Sequence, residues 1–239
     1  MSKIRVYIEP EKISEFIDLD EKGIIHKVKD VLRLKVNEEL YIFDGKGREY
    51  LYEIKKLKNR SVLIEKKAIE KEQSLPEKKI ILGFPFLKEE KIDFILQKAT
   101  ELGVFAFIPF ICERSIRMVP SPNKLTRWKK IIIEAARQSE RLWIPQIYDA
   151  LDFKEIAKSN YKVKLVAAFH GSNLEEIINK EWKEILIIVG PKGDLTQPEL
   201  AKLKENNFQF VRLSSHILKA ETAAMFAVGL INYCPAKPL

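Results

Sequence analysis

The stretch EILIIVGPKGDLTQPEL, residues 184–200, decides how the larger part of this chain is read. Ile185 to Val189 are apolar without interruption, the pattern of a strand buried on both faces of a sheet and not of one with a wet side. Gly190, Pro191, Lys192 and Gly193 then break the run, and a helical pattern follows from Gln197. Strand, glycine loop and helix make half of a parallel α/β unit. The loop is not a Walker A sequence, which needs Gly-Lys-Ser/Thr, nor a dinucleotide fingerprint, which needs G-x-G-x-x-G. What remains is a loop whose backbone comes close to something.

Outward from this stretch the alternation continues. KIILGFPF (79–86), VFAFIPFI (104–111), VKLVAAF (163–169) and FQFVRL (208–213) read as strands. KEEKIDFILQKATEL (88–102) reads as an amphipathic helix stopped by Gly103, a residue suited to the left-handed position after a helix. Ser121-Pro122 opens a second helix, serine as N-cap and proline in the first turn, running to about Leu142. AETAAMFAVGLINY (220–233) is a helix apolar nearly all round. In a parallel sheet ligands bind beyond the carboxyl ends of the strands. The segments AAFHGS (167–172), VGPKGD (189–194) and RLSSHILKAE (212–221) are therefore the expected site loops.

The first seventy or so residues read differently. IRVYI (4–8), ELYIFDG (39–45), EYLYEIKKL (49–57) and SVLIEKKAI (61–69) are short, partly alternating strands, with Asp44-Gly45 and Lys46-Gly47 supplying a turn and a short helix near 26–34. They suggest a small β-barrel-like module. EKEQSLPEKK (70–79) is polar, contains proline and reads as a linker. The expected domains are 1–72 and 73–239.

With 42 basic and 34 acidic side chains the net charge is +8, which favours an anionic macromolecule as partner. The stretch 114–141 holds eight basic and two acidic residues. On a helix, Arg127, Lys130, Glu134, Gln138 and Arg141 share one stripe, while Trp128, Ile131, Ile132, Ala135, Ser139 and Leu142 share another. The first stripe suits phosphate contacts and also fits an ordinary solvated face. Two cysteines and three histidines without ligand spacing imply neither a disulfide framework nor a metal site. No apolar run reaches 18 residues and the N-terminus carries no signal-like core, so the expectation is a soluble cytoplasmic protein that does not contact membrane.

Four segments taken together resemble a known family. LKEEKIDFILQKATELGVFAFIPFICERS (87–115), RWKKIIIEAARQSERLWIPQI (127–147), IIVGPKGDLTQPEL (187–200) and LSSHILKAETAA (213–224) look like the ribosomal RNA small subunit methyltransferase E family, the 16S rRNA uridine N3-methyltransferases of the SPOUT class. HKVKDVLRLKVNEELYIFDGKGREY (26–50) is similar to that family's PUA-like RNA-binding domain. The resemblance implies a trefoil-knotted α/β domain, a homodimer, S-adenosylmethionine as cofactor and 16S rRNA of the small ribosomal subunit as partner. It implies cofactor contacts from Phe169, His170 and Gly171 in the first loop, and from Val189, Gly190, Pro191, Lys192 and Gly193 in the second. From the third it implies Leu213, Ser214, His216, Ile217, Leu218, Ala220, Glu221 and Thr222. Arg137, Arg141 and Glu221 are the candidates for acting on the uridine. Arg33, Arg114, Arg117, Arg127, Lys130 and Gln138 are the candidates for holding RNA.

Two loops depart from the family's usual residues. Lys192 stands where the loop Gly-Pro-Glu-Gly-Gly has glutamate, and Asp194 where it has its last glycine. Ser214, His216 and Lys219 stand where the later motif has Gly, Arg and Arg. Two alternatives therefore stay open: an RNA- or ribosome-binding protein of this fold with weak or lost catalysis, and a SPOUT methyltransferase with another RNA target.

Overall fold

The structure is a computed structural model and describes residues 4–116, 120–179 and 181–233. It divides into two compact units, 1–75 with 136–144, and 76–135 with 145–239.

The first unit is a five-stranded sheet built from β1 (Arg5–Tyr7), β2 (Phe16–Leu19), β3 (Glu39–Phe43), β4 (Arg48–Lys58) and β5 (Ser61–Glu72). The spatial order is β1-β3-β4-β5-β2, antiparallel except for the β1–β3 pair. Alternation places Leu40 and Ile42 of β3, Tyr50, Tyr52 and Ile54 of β4, and Val62 and Ile64 of β5 in one core. A short helix, α1 (Lys22–His26), runs on into a π-helical turn at Lys27–Val31 and contributes Val28 to that core. Between β3 and β4 the Asp44 carboxylate accepts from the backbone N–H of Lys46 and of Arg48, which fixes the turn.

Arg5 is one anchor of the segment 136–144 in this unit, beside the backbone bonds of Gly47 to Leu142 and of Ile144 to Gly45. Its side chain is 2% exposed and its Nε lies 2.5 Å from Glu49 Oε2, itself 1% exposed. The guanidinium sits 4.4 Å from the centre of the Phe43 ring and donates to the carbonyls of Arg137 at 2.8 Å, Arg141 at 3.1 Å and Ala136 at 3.3 Å. A cation at the orphan carbonyls of a helix end satisfies acceptors and opposes the negative pole of the helix dipole.

The second unit is a parallel sheet. Its strands are β6 (Lys79–Pro85), β7 (Ala106–Ile111), β8 (Gln146–Ile147), β9 (Leu151–Asp152), β10 (Val163–Asn173), β11 (Glu184–Ile188) and β12 (Gln209–Arg212). The order is β12-β10-β11-β6-β7-β8, with β9 also on β7. The helices are α2 (Glu89–Glu101), α3 (Pro122–Gln138, its last turn belonging to the first unit), α4 (Phe153–Ala157), α5 (Leu174–Ile177), α6 (Gln197–Glu205) and α7 (Ala220–Tyr233). Ile185 to Val189 are wholly buried, as uninterrupted apolar strands in a covered sheet must be. Trp128 of α3 is buried against Phe84 and Phe86 at the end of β6.

Two sequence expectations are corrected. The helix opened by Ser121 ends at Gln138, not near Leu142: Glu140 adopts φ +56°, outside the helical region. The stretch 167–172 is not a plain loop, because β10 runs through it to Asn173. Ala167 and Ser172 both pair with Val211, so the residues between them bulge from the ladder. Gly171 permits the bulge: a Cβ there would lie 2.4 Å from the Phe210 backbone.

Candidate functional site

In the second unit the carboxyl ends of β6, β10, β11 and β12 surround a pocket of about 570 Å3. β6 leads to Leu87, β10 supplies Ala167, Ala168 and Phe169, β11 leads to Gly190 through Asp194, and β12 leads through Arg212 to Ile217 and Leu218. Lys91 in the first turn of α2 and Ala220 and Ala223 of α7 complete it.

The glycine loop has a defined turn. Asp194 N–H donates to Pro191 C=O at 3.0 Å, with Gly193 at φ +85° and Asp194 at φ +63°. Glycine enters that region without cost, and aspartate is among the few others that tolerate it as single residues. Asp194 therefore keeps the backbone form that a second glycine would give. Its Oδ1 also accepts from Leu195 N–H at 2.8 Å. Arg114, an RNA-contact candidate from sequence, donates to the Gly193 and Asp194 carbonyls and braces the loop.

Glu199 lies just beyond, in the first turn of α6. Its carboxylate accepts from Thr196 N–H and Glu113 N–H, both at 2.8 Å, and from the Thr196 hydroxyl at 3.1 Å. Neither Asp194 nor Glu199 forms an ion pair with Lys192 among the described residues, and Lys192 is exposed at the pocket.

Of the cofactor candidates, Phe169, Gly190, Pro191, Lys192, Gly193, Leu213, Ser214, His216, Ile217, Leu218 and Ala220 line the pocket. His170, Gly171, Val189, Glu221 and Thr222 do not. Val189 is buried, its N–H donating to Gly83 C=O at 3.1 Å, and Gly171 serves the β10 bulge. His216 is exposed, with Nδ1 3.1 Å from the Ser215 hydroxyl and its N–H donating to Ser214 Oγ.

Glu221 stands in the first turn of α7, 3.1 Å from Lys91. Burial pushes its carboxyl up, but hydrogen bonds from its own backbone N–H and from Lys91, with the Lys91 charge, outweigh that and hold it below the usual carboxylate range. It is therefore ionised at neutral pH and a weak proton acceptor. Burial pushes the Cys112 thiol up to about 11, so it is no nucleophile at neutral pH.

Arg127 pairs with Glu89 and Asp93 of α2, and Lys130 is exposed on α3. Arg137 and Arg141 are half-buried in the first unit and Gln138 is exposed there. Arg33 is exposed at φ +50°, and Arg117 lies outside the described residues. Leu87 and Lys91 line the pocket without having been expected. They come from a part of the chain about a hundred residues before the glycine loop, and no local motif connects the two.

A parallel sheet with a glycine-loop pocket at its carboxyl end, in a chain that also carries a small β unit, defines a class: residues 73–232 match the RNA methyltransferase domain and residues 28–67 the RNA methyltransferase PUA domain. Among curated relatives, a ribosomal RNA small subunit methyltransferase E of Rickettsia conorii is 32% identical over 95% of this chain and 94% of its own. The Bacillus subtilis protein of the same name is 30% identical over 87% of both. The crystal structure of the Neisseria gonorrhoeae enzyme of that name, bound to S-adenosyl methionine, is 30% identical, covers 95% of both chains and superposes with a TM-score of 0.85. The chain belongs to the ribosomal RNA small subunit methyltransferase E family.

Proposed function

We propose that this protein binds S-adenosylmethionine in the second-unit pocket and methylates N3 of a uridine in 16S rRNA. The observation that carries the reading is the pocket itself, walled by all three segments that the family pattern points to, in a chain whose Neisseria relative is bound to that cofactor.

The residues fit such a group. Leu213, Ile217 and Leu218 offer apolar side chains, and their peptide groups make no hydrogen bond within the described chain, which leaves donors and acceptors for an adenine edge. Gly190 and Gly193 allow a close approach of the loop backbone. When bound, the cofactor supplies an electrophilic methyl carbon on a sulfonium. The chain's part is alignment and control of charge. Uridine N3 must release its proton to solvent, because the protonated nitrogen has no free in-plane lone pair. Arg137 and Arg141 are the proposed cations that hold RNA and stabilise negative charge on the uracil oxygens, with Gln138, Arg33, Arg117 and Lys130 as further RNA contacts. Glu221, held ionised by Lys91, is proposed to position the start of α7 at the pocket.

The proposal extends to a trefoil knot formed by the loops after β11 and β12, to a homodimer and to a cytoplasmic site of action. Exposed Phe94 on α2 and Phe226 and Tyr233 on α7 support a partner surface. No helix among the described residues is long and apolar enough to cross a membrane, and no group of three metal-ligating side chains is found among them.

Mass spectrometry of 16S rRNA nucleosides from cells with and without the gene is the test. Loss of 3-methyluridine on deletion is expected; an unchanged level rejects the assignment. A second reading, RNA binding without catalysis, draws on Lys192, Ser214, His216 and Lys219 in the pocket loops. Calorimetry separates it, since a catalyst binds S-adenosylmethionine below millimolar concentration.

A further inference from the structure

We infer that Lys192, Arg212 and Lys219 form a phosphate-binding rim on the pocket, which receives the backbone of the single-stranded substrate RNA. The inference rests on the proposed function and adds to it residues that meet the substrate rather than the cofactor.

The charges around the pocket are unevenly matched. Lys91, Lys192, Arg212 and Lys219 line it against a single carboxylate, Asp194. Lys91 is paired with Glu221, and Asp194 Oδ1 accepts from Leu195 N–H. Glu199, the other nearby acid, is occupied by three donors from Thr196 and Glu113. Lys219 lowers the pKa of Glu221 through space but makes no ion pair with it. Lys192, Arg212 and Lys219 are all exposed, and none is in an ion pair among the described residues. Three exposed cations thus stand at the opening against one exposed carboxylate, Asp194.

Such a rim does not suit a sulfonium, which carries a like charge. It suits a polyanion, whose phosphates are drawn to a concave surface of one sign. Single-stranded RNA also brings bases that can stack on an exposed aromatic ring, and Phe169 in the pocket wall is 43% exposed. The competing occupant of a cation here is the carboxylate of the cofactor's methionine half, and it makes the opposite forecast for a charge change.

The experiment uses the full chain, a labelled single-stranded RNA containing uridine followed by fluorescence anisotropy, and S-adenosylmethionine followed by calorimetry. Lys192→Glu and Arg212→Gln are each expected to weaken RNA binding about two- to fivefold. The slope of log affinity against log salt should fall by about 0.7 for each lost contact. Lys192→Arg should keep RNA affinity, and Arg212→Gln, at a residue outside the expected cofactor contacts, should keep cofactor affinity. Weaker cofactor binding with RNA binding intact overturns the inference in favour of a carboxylate grip. No change in either, or equal loss of both in all three variants, also overturns it. Failure of the underlying function shows differently: the unaltered protein then binds no cofactor, while the rim is still judged by RNA affinity.

Discussion

Arg5 in the first unit and Lys192 in the second are both cations beside backbone turns, and they serve opposite ends. Arg5 is buried, paired with a buried glutamate, stacked against Phe43 and bonded to three carbonyls. Nothing of its charge is left for a ligand. Lys192 is exposed, with the acids near it bonded elsewhere. Residue type does not separate structural from ligand-directed charge; burial and prior engagement do. The Lys91–Glu221 pair, with side chains 33% and 15% exposed, stands between the two.

The largest effect expected along this series is at Arg5. Arg5→Met should cost about 3–5 kcal/mol, because it breaks a buried ion pair and removes the donor from three carbonyls. Urea denaturation measures it. Adding Glu49→Leu should recover only the part owed to the ion pair, and full recovery would mean that the carbonyl bonds do not hold the segment 136–144.

The next effect is the acid sensitivity of the Lys91–Glu221 pair. The folded Glu221 carboxyl is held below its ordinary value of 4.5. A depressed folded pKa stabilises above the unfolded value and loses that contribution as pH falls through the folded one. Thermal midpoints should therefore decline below about pH 4.5 more steeply in the natural protein than in Lys91→Met, and parallel profiles would mean that the pair is idle.

The smallest effect belongs to Arg127. Its own side chain is 46% exposed, so Arg127→Ala should change stability by only about 1 kcal/mol, the half-buried Asp93 contributing more of it than the exposed Glu89. A larger loss would mean that these ion pairs act as a buried network and would blur the contrast with Arg5.

Much of the fold was legible because it is written in local periods. Uninterrupted apolar runs marked β6, β7, β10 and β11, alternation marked β3 to β5, and Gly103 at φ +94° ends α2 as its position suggested. β2 escaped notice: FIDL is short, carries an acid and leaves Phe16 exposed, as an edge strand can. The overrun of α3 has a similar cause, since nothing in QSERL announces a left-handed backbone at Glu140. The three pocket segments were visible from the strand ends. Lys91 and Leu87 were not, because only the sheet order, which sets β6 beside β11, brings them to the glycine loop. Asp194 was legible as a departure but not as a conservative one: its φ belongs to the fold, and sequence shows only the side chain.

The β10 bulge gives the pocket two unequal walls. Ala167 and Ser172 both pair with Val211, so the segment that presents Phe169 is stitched to the sheet at both ends and Gly171 lies hard against its neighbour. The facing segment, Leu213 to Leu218, has no ladder, and Ile217 is 86% exposed. Any ligand held between them meets a fixed jaw and a slack one. Without a ladder, those six residues carry the larger share of the ordering entropy of binding. Stiffening them, rather than enlarging the pocket, is then the direct route to tighter binding.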